Sequence, residues 1–117
     1  MKITRVETIE VQLPNRWEGY GWNGLQIPIG NYLILRLETD TGLEGLGEAP
    51  TLPDWGGEHH RYYGEDPKIG AHVIEKYFKP ILLGADPRNI SSLLAAIDVP
   101  LRGHNCAKSA VDLALHD

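Results

Sequence analysis

The sequence is poor in the features that usually announce a mechanism. It has one cysteine, Cys106. No disulfide can therefore close within the chain, and a reducing, cytoplasmic setting is the expectation. No His/Asn partner pattern accompanies Cys106, which reads as a small packed helix residue rather than a nucleophile. Positive charge is not in excess: the formal net charge is -5, so the basic footprint that nucleic-acid binding needs is missing. No apolar run approaches the roughly 20 residues of a membrane-spanning helix. Met1-Lys2-Ile3-Thr4 passes straight into strand-like sequence, without the pattern of a signal peptide. Neither nucleic acid nor membrane is an expected partner. Internal repeats and low-complexity segments are also missing.

What is present is 117 residues with 42% hydrophobic composition, enough for one small domain with its own core. Ile3 to Leu13 reads as a strand rich in β-branched residues, with Ile3, Arg5, Glu7, Ile9, Val11 and Leu13 on one face, and Pro14 ends it. Tyr32–Thr39 and Leu43–Ala49 read as two further strands. Asp40-Thr41-Gly42 forms a hairpin turn between them, which makes the two strands antiparallel neighbours. Gly45 and Gly47 mark a bulge or a close backbone approach.

The period then changes from two to 3.6. Asp66-Pro67 opens a helix that runs to about Phe78, with a capping carboxylate followed by Pro at the first helical position. Pro80 breaks that run or opens a short second turn, and Gly84 is a C-cap. Asp86-Pro87 starts the next element, in which Ile90, Leu93, Leu94 and Ile97 form an apolar stripe. Asp98-Val99-Pro100 ends it. Strands first and helices after predict an α+β fold: a three-stranded antiparallel sheet followed by a bundle of three to four helices.

The last stretch, Gly103 to Asp117, draws an apolar stripe through Ala107, Ala110, Val111, Ala114 and Leu115, with Asn105 as N-cap. Alanines in that stripe let the helix backbone lie close against its neighbour. No stop signal follows it. The expectation is the front portion of a longer protein, interrupted in a helix that leads to a second domain.

Two long loops interrupt the small domain. Asn15–Asn31 carries Trp17, Tyr20 and Trp22 among its glycines, and Pro50–Asp66 carries Trp55. Loops of this length are usually functional or disordered, and the aromatics speak against disorder. These rings cover either their own core or a ligand that comes and goes. His59-His60 beside Glu58 lacks the i,i+4 or Cys partners of a metal site. Asp112 and His116 are four apart and within hydrogen-bonding reach on a helix. Glu44 and Glu48 share a strand face, but nothing marks either as buried. Gly45-Leu46-Gly47 is not a dinucleotide fingerprint. No residue is assigned a catalytic or a metal-binding role.

Lys2-Ile3-Thr4-Arg5-Val6-Glu7, Leu35-Arg36-Leu37-Glu38-Thr39-Asp40-Thr41-Gly42, Gly45-Leu46-Gly47-Glu48-Ala49 and Ala107-Lys108-Ser109-Ala110-Val111-Asp112-Leu113-Ala114-Leu115-His116-Asp117 occur in that order. Together they resemble the N-terminal capping domain of the enolase superfamily, in its mandelate racemase/muconate lactonizing enzyme branch. Tyr63-Gly64-Glu65-Asp66-Pro67 and Tyr77-Phe78-Lys79-Pro80-Ile81-Leu82-Leu83-Gly84 lean toward the muconate-lactonizing side. The resemblance covers the whole chain. It implies that residues 1–117 form a capping domain over the mouth of a following (β/α)8 barrel, absent from this chain. The barrel would supply the ligands of a divalent metal, Mg2+ with Mn2+ as the alternative, and the acid/base groups that remove a proton next to a carboxylate.

By position, the two long loops match the family's specificity loops, which makes Tyr20, Trp22 and Trp55 the candidate substrate-binding residues. The implied substrate is a small carboxylate of a cycloisomerase, a racemase or, as an alternative within the family, an acid-sugar dehydratase. The fragment alone is not expected to be catalytic, and the full-length protein is expected to be a homo-oligomer. A free-standing binding or structural module is the alternative outside the family.

Overall fold

The computed structural model describes residues 1–14, 29–50 and 65–117. Its three strands are β1 (Ile3–Pro14), β2 (Ile29–Thr39) and β3 (Glu44–Pro50), in one antiparallel sheet ordered β1-β2-β3. The helical segments are α1 (Pro67–Val73), a π-helical turn (Ile74–Phe78), α2 (Lys79–Leu82), α3 (Ile90–Asp98) and α4 (Asn105–His116). The predicted α+β architecture is therefore the one observed. Among the described residues no helix is long and apolar enough to cross a membrane.

β1 departs from simple alternation. Its register slips between Ile3, opposite Thr39, and Arg5, opposite Glu38. Thr4 is the extra residue of a β-bulge, and such a bulge re-aims the residues beyond it. Ile3 therefore does not share a face with Arg5 and Glu7, as strict alternation predicts; it joins Val6 in the core. The bulge also frees the backbone of Ile3 from β2. Its N–H donates to the Ala85 carbonyl at 2.9 Å and its carbonyl accepts from Gly84 at 2.8 Å. Gly84 takes φ +80° just beyond α2, the left-handed conformation expected of a C-cap glycine.

β2 starts earlier than predicted. Ile29, Gly30 and Asn31 pair with Pro14, Leu13 and Gln12 rather than belonging to the loop. The glycine that reads as a loop signal is a strand glycine: a Cβ on Gly30 would stand 2.6 Å from the Tyr32 hydroxyl. An aromatic ring two residues on covers the gap, as in aromatic rescue of strand glycines. The hairpin is as predicted, with Gly42 at φ +82° and the Thr39 N–H donating to the Leu43 carbonyl at 2.9 Å.

The helical layer covers one face of this sheet. Leu33, Leu35 and Leu37 of β2, with Ile3, Val6 and Ala49, meet Val73, Ile74, Phe78, Leu82, Leu93, Ile97, Ala107, Ala110, Val111 and Ala114. Of the stripe predicted on α3, Leu93 and Ile97 are buried and Leu94 is half-buried. Each fully buried side chain contributes about 1.5–3 kcal/mol as an upper bound. Pro80 does not break the chain's helical course. Its ring would clash with the carbonyl four residues back in an α-helix. The turn before it widens instead, with the Lys79 N–H reaching the Ile74 carbonyl, and the helix resumes as α2.

α4 lies unusually close to β3. A Cβ on Gly47 would fall 1.8 Å from the Ala110 carbonyl oxygen, and one on Gly45 would fall 2.1 Å from that of Ala114. Glycine on the strand and alanine on the helix let two backbones touch. The sequence offers a bulge or a close approach for these glycines, and the close approach is what occurs.

Candidate functional site

Antiparallel pairing gathers the loop stems at one end of the domain. Pro14 stands opposite Ile29 and Tyr32 opposite Pro50, so three strand ends meet there. α4 runs alongside β3, with Ala110 near Gly47 and Ala114 near Gly45. Its first turn therefore lies at the same end. The strand ends on either side of residues 15–28, and the end of β3 that leads into residues 51–64, all lie there.

Tyr20, Trp22 and Trp55, predicted to bind substrate, lie outside the described residues, as do Trp17 and the Glu58-His59-His60 group. The described stems carry side-chain hydrogen bonds. Gln12 Nε2 donates to Asn31 Oδ1 at 2.9 Å across the β1–β2 ribbon. At the other stem, Asp66 Oδ1 accepts the Ile69 N–H at 2.8 Å, and Pro67 sits at the first helical position, as the sequence predicts.

The cap of α4 is not the one predicted. Asn105 is the first helical residue, and the residue before it, His104, adopts a left-handed backbone at φ 53° without a side-chain cap bond. The orphan N–H groups of the first turn go instead to Glu65. Its Oε1 accepts from Ala107 at 3.0 Å and its Oε2 from Cys106 at 3.2 Å. Glu65 is only 3% exposed and is the buried charged residue among those described. A buried carboxylate is tolerated when its oxygens are bonded and when it faces the positive end of a helix. Its partners are 41 and 42 residues away in the chain. No local pattern reveals such a cap, which is why spacing favours Asn105.

Burial, with the Glu65 charge and hydrogen bond added, pushes the Cys106 thiol up to about 11. That is the opposite of an activated nucleophile. Among the described residues no group of three or more His, Cys, Asp or Glu side chains converges to hold a metal ion. The residues described do not fit a metal centre. Glu44 and Glu48 project from the exposed face of β3. His116 Nδ1 stands 3.1 Å from Asp112 Oδ1, as the spacing predicts. Lys108 pairs with Asp98 and the Leu101 carbonyl rather than with Asp112. A cleft of about 410 Å3 exists between the hairpin turn and the last turn of α4, lined by Leu37, Leu43, Pro87, Ile90 and Leu115. It lies at the opposite end from the loop stems.

A family model described as mandelate racemase/muconate lactonizing enzyme, N-terminal domain, matches residues 27–117. The chain belongs to the mandelate racemase/muconate lactonizing enzyme family. Among its relatives in this family, a cis-3-hydroxy-L-proline dehydratase of Roseibium aggregatum is 34% identical over 118 residues, covering 100% of this chain and 30% of the relative. A chloromuconate cycloisomerase of Cupriavidus necator is 34% identical over 119 residues, with the same coverage. The crystal structure of the 2-chloromuconate cycloisomerase from Rhodococcus opacus superposes with a TM-score of 0.85 at 28% identity, covering 98% of this chain and 30% of that one. The chain thus spans about 30% of the length of the family members it matches.

Proposed function

We propose that residues 1–117 are the capping domain of an enzyme that abstracts the α-proton of a small carboxylate, with Tyr20, Trp22 and Trp55 contacting the substrate. In this reading the acid/base groups and the ligands of a divalent metal, Mg2+ or Mn2+, belong to a C-terminal (β/α)8 barrel. The cap contributes two loops that cover the substrate and exclude water. One observation carries the reading. A family N-terminal domain spanning about 30% of its relatives has the strand ends that flank its two long connections at a single end. That arrangement suits a surface that faces another body. The relatives' names span a dehydratase and a cycloisomerase; the reaction class is therefore left at proton abstraction, which both can share.

The chemistry is suited to such a division. A proton next to a carboxylate is weakly acidic, and a metal ion at the developing enolate lowers the barrier. Aromatic side chains on the cap would select the substrate's apolar part without touching the reacting atoms. The test is α-proton exchange in D2O by the full-length protein against pooled carboxylates, with and without EDTA. Metal-dependent exchange supports the proposal. Turnover unaffected by exhaustive chelation, or turnover by residues 1–117 alone, would refute it.

A further inference from the structure

The two edges of the sheet are treated differently. At β3, the Leu46 N–H donates to Asp117 Oδ2 at 3.0 Å, so the end of α4 covers that edge. The direction of the β1 edge groups follows from the hairpin. Thr39 donates its N–H to Leu43 and accepts from Gly42 at 3.1 Å, so both its main-chain groups turn toward β3. Sides alternate along a strand of an antiparallel sheet, and Leu37 and Leu35 therefore turn the same way. Val6 and Thr8, which stand opposite them, direct their N–H and C=O groups to the free edge. Ile3, opposite Thr39, does likewise, and its bonds to residues 84 and 85 use that edge. Beyond Ile3, among the described residues, no main-chain group pairs with the β1 edge. An unpaired edge is a template for another strand.

A groove of about 440 Å3 follows this edge. One wall is Thr4–Thr8, and the other is Glu75, Lys79 and Leu83, four residues apart along the helical run. A strand edge beside a helix is a geometry in which an extended segment adds to a sheet. The strand wall, Thr4-Arg5-Val6-Glu7-Thr8, is its own charge complement when read in both directions from Val6. We propose that this edge pairs with the same edge of a second copy of the chain, antiparallel, about a twofold axis at Val6. Val6 then exchanges two main-chain bonds with the partner's Val6. Arg5 stands opposite the partner's Glu7, and Glu7 opposite the partner's Arg5. Opposite charges directly across a strand pair stabilise it, and like charges destabilise it. Other centres within the groove lack this match. An axis at Arg5 or Glu7 sets that residue against itself, and one at Thr8 sets Arg5 against Val11 and Glu7 against Ile9. Glu75 and Lys79, paired at 2.8 Å, give the helical wall one charge of each sign as well. The bulge at Thr4 and the bonds of Ile3 to residues 84 and 85 end the new ladder on one side.

The test traps this register in the full-length protein. Arg5 and Glu7 turn their main-chain groups toward β2, so across the new edge they form a non-hydrogen-bonded pair. Cα atoms in such a pair stand about 4.5 Å apart, within reach of a disulfide. Arg5→Cys and Glu7→Cys chains, each also carrying Cys106→Ser, are mixed, oxidised with diamide and analysed by mass spectrometry. The disulfide between positions 5 and 7 is expected about tenfold above those joining 5 to 5 or 7 to 7. No intermolecular disulfide, or the three in the proportions of random collision, would overturn the proposal. Thr8→Pro, added to both chains, removes an N–H that β2 does not use, a change an edge strand tolerates. It should lower the yield of the 5–7 disulfide about tenfold. Glu10→Pro removes the next edge-facing N–H, outside the paired stretch, and should leave the yield unchanged. Loss with both prolines would move the ladder along β1, and loss with neither would dispense with main-chain pairing; either result overturns the proposal. If Thr8→Pro does not fold, the ratio of the three disulfides decides alone.

Discussion

Gly47→Ala tests how the domain is held together. The new Cβ would fall 1.8 Å from the Ala110 carbonyl oxygen, 2.7 Å from its carbon and 3.0 Å from the Ala114 nitrogen. All three are backbone atoms of a helix, so no rotamer change relieves the clash. β3 and α4 must separate by roughly 1.5 Å to restore ordinary contact, and that loosens Ala110, Val111 and Ala114, all buried. Overpacking of this kind costs about 1–3 kcal/mol, and the absence of a side-chain escape favours the upper part of that range. Alanine also stiffens the unfolded chain, which returns about 0.4–1 kcal/mol. The net expectation is about 2 kcal/mol of destabilisation. With an m-value of about 2 kcal/mol/M, the urea midpoint drops by about 1 M. Gly84→Ala is the control: its Cβ meets nothing within 4 Å, and the cost is only the positive φ, about 1 kcal/mol. Adding Ala110→Gly to Gly47→Ala should rescue nothing, because the offended atom is a carbonyl. A Gly47→Ala midpoint equal to wild type, or rescue by Ala110→Gly, would refute the backbone-contact argument.

Other outcomes follow from the site and from the titrating groups. Trp22→Ala or Trp55→Ala in the full-length protein should raise KM or change substrate preference with little loss of stability; a large fall in Tm with unchanged kinetics would make them core residues. Cys106, with its thiol raised to about 11, should alkylate at pH 8 about a hundredfold more slowly than a thiol at its ordinary value, accelerating until the pH reaches about 11. A folded-state value above the unfolded one also means that its contribution to stability is whole below pH 9 and is lost as pH rises through about 11. The Arg88 side chain and backbone N–H hold the Asp86 carboxyl well below its ordinary value near 3.8. The contribution of Asp86 is therefore present above that value and is lost as pH falls toward the lower folded-state one. Asp86→Asn should be less stable than wild type by a constant margin at pH 5–7, and the margin should shrink below pH 4 in urea titrations; a pH-independent margin would contradict the assignment.

Local chemistry was readable and long-range partnership was not. The hairpin follows from Asp40-Thr41-Gly42, the start of α1 from Asp66-Pro67, and the α4 stripe from alanines at helical spacing, because each is a rule about residues a few positions apart. The face of Ile3 was misassigned because a bulge at Thr4 carries no composition signal of its own. Gly30 reads as loop because a strand glycine and a turn glycine look alike until Tyr32 is seen beside it. Spacing favours Asn105 as cap because it stands where a cap should, whereas Glu65 lies 41 and 42 residues from its α4 partners. For the candidate site, the existence of two long connections is legible in the sequence, whereas their exact bounds and the shared end of their stems follow only from the strand pairing; Tyr20, Trp22 and Trp55 rest on their aromatic character and on family position.

The bulge at Thr4 has a consequence for how this scaffold can diversify. At the end away from the loop stems, Ile3 is stitched to residues 84 and 85 through main-chain atoms, a seam that depends on backbone conformation, with Gly84 at φ +80°. At the other end the first turn of α4 is closed by a side chain, the Glu65 carboxylate. Substitutions at position 65 act on the start of α4, while the main-chain seam at the opposite end is out of their reach.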